Sequence, residues 1–116
     1  MELLKKLVEI RGASGDESGI KEFIADYVRT NSKNWSSVPE IVEGDDFQDC
    51  LILIFGKPRT AIYAHTDTIG FTSGYGKDLI KIGGPRLNDG IQLVGSDSKG
   101  EIETIFALDK FLIIFF

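Results

Sequence analysis

The chain opens on residues 2–10, E-L-L-K-K-L-V-E-I, where Leu3, Leu4, Leu7 and Val8 recur at helical spacing and predict a short amphipathic helix. Arg11-Gly12-Ala13 breaks that pattern. Ser14 and Glu17 then stand three residues apart in the form of a capping box, with Ser14 as the N-cap. Asp16 and Glu17 complement the positive end of the helix that follows. Ile20, Phe23, Ile24, Tyr27 and Val28 define one apolar face, which predicts a second helix over residues 17–30.

The periodicity then changes. Residues 31–37 form a polar loop carrying Trp35, and residues 38–43 read as a strand at an edge, because Pro39 cannot donate to a ladder. Residues 47–55, F-Q-D-C-L-I-L-I-F, begin by alternating and end continuously apolar, the pattern of a central strand covered on both faces. Cys50 lies within that run and is expected to be a buried small hydrophobe rather than a nucleophile. After a turn at residues 56–59, the run 60–64 is expected to be a strand neighbouring 47–55. Two helices followed by consecutive strands predict an α/β layer, with the helices on a mixed sheet. Past Phe71 the apolar pieces 79–82, 91–94 and 102–105 alternate with glycine-rich turns, the pattern of a small β-rich lobe. The domain division is therefore 1–71, the α/β part, and 72–116, the β-rich part.

Composition narrows the classes of function. At 116 residues with 27% charged residues, the chain suits one ordinary globular domain or part of one. A net charge of −5 argues against nucleic acid and anionic membrane as partners. A single cysteine excludes an internal disulfide. No signal peptide or membrane span is expected, since Lys5 and Lys6 interrupt the N-terminal apolar residues; the expected compartment is the cytoplasm. No phosphate-binding glycine motif is present, and acids such as Asp45, Asp46 and Asp97 fall in turns, where solvation explains them. Residues 111–116, F-L-I-I-F-F, form an uncharged β-prone end, expected to pair into a sheet, to bury in a dimer interface, or to mark a chain that stops early.

The candidate chemistry lies in residues 59–71, R-T-A-I-Y-A-H-T-D-T-I-G-F, where an apolar run ends in His65-Thr66-Asp67. Open α/β sheets place their chemistry at such strand ends. In extended backbone His65 and Asp67 share a face and look into one cleft, while Thr66 points away. If the backbone turns, Asp67 reaches the far ring nitrogen of His65 and fixes its tautomer, the usual support for a metal-binding histidine. The competing reading is a histidine that closes a buried strand and serves structure alone.

Taken whole, A-H-T-D-T-I-G-F resembles the first metal-ligand motif of the dinuclear zinc exopeptidases, closest to the branch of tetrahedral and deblocking (glutamyl) aminopeptidases, which read H-x-D-E-I-G-F there. The small-residue turn G-A-S-G-D-E-S also resembles the family's turn before its second helix. Thr68 departs from that branch and leans toward the related carboxypeptidases and deacylases. The resemblance implies that His65 binds zinc, one of two ions in the family, and that Asp67 orients His65. It implies a three-layer αβα core, a peptide substrate cut at its N-terminus by a metal-activated water, and a β-rich lobe used for subunit assembly. A homo-oligomer through that lobe and the apolar tail is expected.

The family's remaining ligands and its general base lie beyond the β-rich insertion, and this chain has one histidine in all. The sequence therefore predicts the N-terminal portion of such an enzyme, a fragment or interrupted reading frame. It is expected to bind zinc weakly or not at all and to be inactive alone. The alternative from another class is a non-catalytic α/β module that self-associates.

Overall fold

In the computed structural model, residues 1–75, 78–86 and 88–105 are described. They contain two helices and three two-stranded sheets, a mixed α/β content. The chain divides into two compact units, Met1–Gly70 and Phe71–Phe116.

In the first unit, α1 spans Glu2–Glu9, as the apolar spacing predicts. It buries no residue, and Leu4 and Val8 are exposed, so its apolar stripe is not packed on a sheet as expected. Helix α2 spans Ser18–Asn31 and holds the apolar core of this unit: Ile20, Ala25 and Val28 are buried. The capping box does not form as read. Glu17, not Ser14, occupies the N-cap position, and its side chain makes no cap bond. Instead the Glu17 carboxylate accepts the Gly15 N–H at 2.9 Å, which stabilises the turn ahead of the helix. At the other end the Ser32 N–H donates to the Val28 carbonyl, and the chain tightens into a 3-10 turn over Ser32–Asn34.

Strand β1 (Glu40–Val42) pairs antiparallel with β2 (Ile52–Ile54), with Ile41 opposite Leu53. Pro39 sits just before β1, where its missing N–H costs no ladder bond. Trp35 stacks on Phe55 with ring centroids 6.4 Å apart and covers one end of this ribbon. Arg29 of α2 bonds Glu43, just past β1, and Lys21 of α2 donates to the Gln48 carbonyl at 3.3 Å. Lys21 also lies 3.7 Å from the Asp49 carboxylate.

Three expectations are corrected here. The run 47–55 is not one central strand: Asp45–Phe47 is a 3-10 turn and only Ile52–Ile54 is strand. The Cys50 N–H donates to the Phe47 carbonyl at 3.0 Å, which holds that segment in a turn and leaves Cys50 exposed instead of buried. The expected strand 60–64 does not form either. Residues 60–67 belong to no helix, turn or sheet, and Ile62 and Tyr63 are 93% and 90% exposed. An apolar β-prone run becomes a strand only when a neighbouring edge bonds its backbone, and among the described residues this run has none.

Strand β3 (Gly70–Ser73), whose first residue closes the first unit, pairs with β4 (Leu79–Ile82), and β5 (Gln92–Asp97) pairs antiparallel with β6 (Gly100–Ile105). The turn 98–99 is tighter than its glycine-rich sequence suggests. The Asp97 carboxylate accepts the N–H groups of Lys99 at 2.7 Å and Gly100 at 3.1 Å, and Gly100 takes a φ of +135° that favours glycine. Strand pairing thereby runs all the way to Asp97 and Gly100. The apolar run 111–116 lies outside the described residues.

Candidate functional site

A brace outside the motif positions His65 and Asp67. The Thr68 N–H donates to the Gly12 carbonyl at 2.6 Å, and Thr68 forms a parallel bridge with Ala13. This ties the segment leaving Asp67 to the loop between the helices. The approach is so close that a Cβ on Gly70 would stand 2.9 Å from the Ala13 Cβ, so glycine at that position has a packing reason. Gly12 is itself confined, since a Cβ there would meet Ile20 Cγ2 at 3.3 Å. Gly12, Ala13 and Gly70 escape sequence reasoning because the contact joins positions far apart in the chain, and small residues in a loop carry no periodic signal.

His65 Nδ1 lies 3.1 Å from the Asp67 carboxylate and 3.1 Å from the Asp67 backbone carbonyl. Two residues of extended chain set the Cα atoms about 6.5–7 Å apart, and residues 65–67 form neither turn nor bend, so the two side chains close that gap by leaning together. A backbone carbonyl can only accept, and so can an ionised carboxylate. Nδ1 is therefore the donor in this arrangement, and in the neutral ring that leaves the lone pair on Nε2.

The ring is open to solvent: the His65 side chain is 85% exposed and that of Asp67 is 41% exposed. In water such a pair is worth about 0–1 kcal/mol, so it orients the ring without clamping it. What the pair offers chemically is one solvent-exposed imidazole on which the Asp67 carboxylate favours the proton at Nδ1.

The cleft differs from the one expected. A shallow depression of about 340 Å³ is lined by Gly15, Glu17, Gln48, Asp49, Cys50 and Thr66. Thr66 takes part in it, and His65 and Asp67 do not, which reverses the orientation expected for extended backbone. Gln48, on the rim of this depression, holds a φ of +52°, uncommon for a residue with a side chain.

Among the described residues no group of three or more His, Cys, Asp or Glu side chains is placed to hold a metal ion. Among them, too, no helix is long and apolar enough to cross a membrane. No protein-family model matches this chain, and no curated protein sequence matches it.

Proposed function

We propose that this chain carries the first metal-ligand segment of a zinc-dependent aminopeptidase-like hydrolase, an exopeptidase that removes N-terminal residues from peptides. One observation carries the reading: Asp67 holds His65 Nδ1, and Nε2 faces solvent as a ready ligand atom. That is the support a zinc-bound imidazole needs, because the carboxylate fixes the tautomer and raises the basicity of the other nitrogen. The sequence around it, A-H-T-D-T-I-G-F, supports the same reading.

The donor set does not fit a complete centre. A hydrolytic zinc takes about three protein ligands and an open position for water, whereas the described residues supply one oriented imidazole. Further ligands and a general base must come from outside these residues, and the chain by itself is proposed to hydrolyse no aminoacyl substrate. In this reading the helices and strands of residues 1–71 belong to an αβα core in the cytoplasm, and residues 72–116 open a β-rich assembly lobe. Thr68 keeps a metallo-carboxypeptidase or deacylase as the nearest alternative chemistry.

Zinc titration of the chain, followed on the ring nitrogens of its sole histidine by NMR, tests the proposal. Weak binding at Nε2 is expected, lost in His65→Ala and weakened about 10- to 100-fold in Asp67→Ala. Binding that survives His65→Ala, or coordination through Nδ1, would refute it.

A further inference from the structure

We propose that the Tyr63–Ala64 bond is a cleavage site for an endopeptidase whose primary pocket takes an aromatic side chain. Such an enzyme holds its substrate as an extended strand, bonds the main chain on both sides of the scissile bond and seats one side chain in its pocket. A helix or ribbon resists this, because its backbone is already bonded and must open first. An exposed loop segment needs no such opening.

Residues 60–65, T-A-I-Y-A-H, are in that state in the folded chain. They belong to no helix, turn or sheet, and every one of them is exposed. Among the described residues no hydrogen bond engages their main chain. The Tyr63 ring is almost wholly exposed and free to enter a pocket, and Ala64, across the bond, is small. The segment is also held at both ends, by β2 before it and by the Thr68–Gly12 bond after it. Less conformational freedom is therefore lost on binding than from a loose tail.

Other aromatic positions do not offer this. Phe23 and Tyr27 lie within α2. Phe47 is bonded on both sides, its N–H to the Gly44 carbonyl and its carbonyl to the Cys50 N–H. Trp35 and Phe55 stack on each other, and Gly56, the residue after Phe55, takes a φ of +58°, far from extended backbone. Tyr75 is fully exposed, but the Gly74 N–H beside it is already bonded to the Asp78 carbonyl at 2.7 Å, so that backbone must open first.

Cleavage consumes one water. The bond from the Tyr63 carbonyl carbon to the Ala64 nitrogen breaks, Tyr63 gains a terminal carboxylate and Ala64 a terminal amine. The cut separates His65 and Asp67 from α1, α2 and the β1–β2 ribbon along the chain. The site does not depend on the hydrolase reading, and its test needs no metal.

The test is a time course of the full chain with a trace of chymotrypsin in native buffer, read by mass spectrometry of the fragments. The first cut within residues 1–70 is expected at Tyr63–Ala64. Its rate is expected within about tenfold of the same bond in a free peptide of residues 58–69, because no opening step precedes it. Ala64→Pro keeps the exposed Tyr63 ring and disturbs no core; it is expected to abolish this cut, since the proline ring at the leaving nitrogen does not fit the cleft.

A first cut at Phe23, Tyr27, Trp35, Phe47 or Phe55 overturns the proposal. Cleavage at Tyr63 that runs far slower than in the peptide also overturns it, by showing that the segment must open. Even cutting at every aromatic residue of 1–70 overturns it too, as a chain without this fold would give.

Discussion

Replacing Gly70 by alanine probes the brace that fixes the chain beyond Asp67. The added Cβ would lie 2.9 Å from the Ala13 Cβ, about 0.6–1.1 Å inside the separation at which two carbons attract best. The Ala13 Cβ is bonded directly to the backbone, so no rotamer change removes the clash, and the two segments must part. Overpacking of this kind costs about 1–3 kcal/mol. Against it stands the restriction of the unfolded chain by alanine, worth about 0.4–1 kcal/mol, which applies because Gly70 does not need a positive φ. At the midpoints of those ranges the clash wins by about 1.3 kcal/mol, a factor of roughly 10 in the local opening equilibrium.

The reporter is the Thr68 amide, bonded to Gly12 at 2.6 Å. Its hydrogen exchange, read by NMR, is expected to quicken by that factor in Gly70→Ala and to slow again when Ala13→Gly removes the opposing methyl. Unchanged exchange in the single variant, or a double variant that opens as readily as the single, would refute the account of how His65 and Asp67 are positioned.

Two further outcomes test local features. The Cys50 thiol is exposed, so a thiol reagent is expected to titrate it completely in the native protein at the same rate as in denaturant; slow labelling that denaturant accelerates would return Cys50 to a core. Asp97→Ala removes the acceptor for the Lys99 and Gly100 N–H groups. It is expected to cost the β5–β6 ribbon about 1 kcal/mol, read as lost cross-strand NOEs between Leu93 and Thr104, whereas intact NOEs would show that the turn forms without the side chain.

The local elements were the legible ones. Helix spacing located α1 and α2 to within a residue or two, and short apolar pieces between glycine turns located β4, β5 and β6. Those patterns depend on contacts within a few residues, so composition and period suffice to find them. Even there, fine chemistry was lost: Ser14 and Glu17 have capping-box spacing, yet Glu17 bonds Gly15 and stands at the N-cap itself. Several side-chain acceptors compete for the same few N–H groups, and the spacing does not say which one wins.

At the candidate site the sequence by itself determined the residue types, an imidazole and a carboxylate two positions apart after an apolar run. It left open whether the two side chains meet, and only the tertiary structure decided that they do, with the Asp67 carboxylate on Nδ1. The structure also decided that residues 60–64 stay out of any sheet, that Cys50 faces solvent, and that Gly70 meets Ala13. The physical reason is common to all three. Whether an apolar segment is buried or bonded depends on which distant surface arrives beside it, and a one-dimensional pattern records the appetite of a segment for a partner without recording that partner.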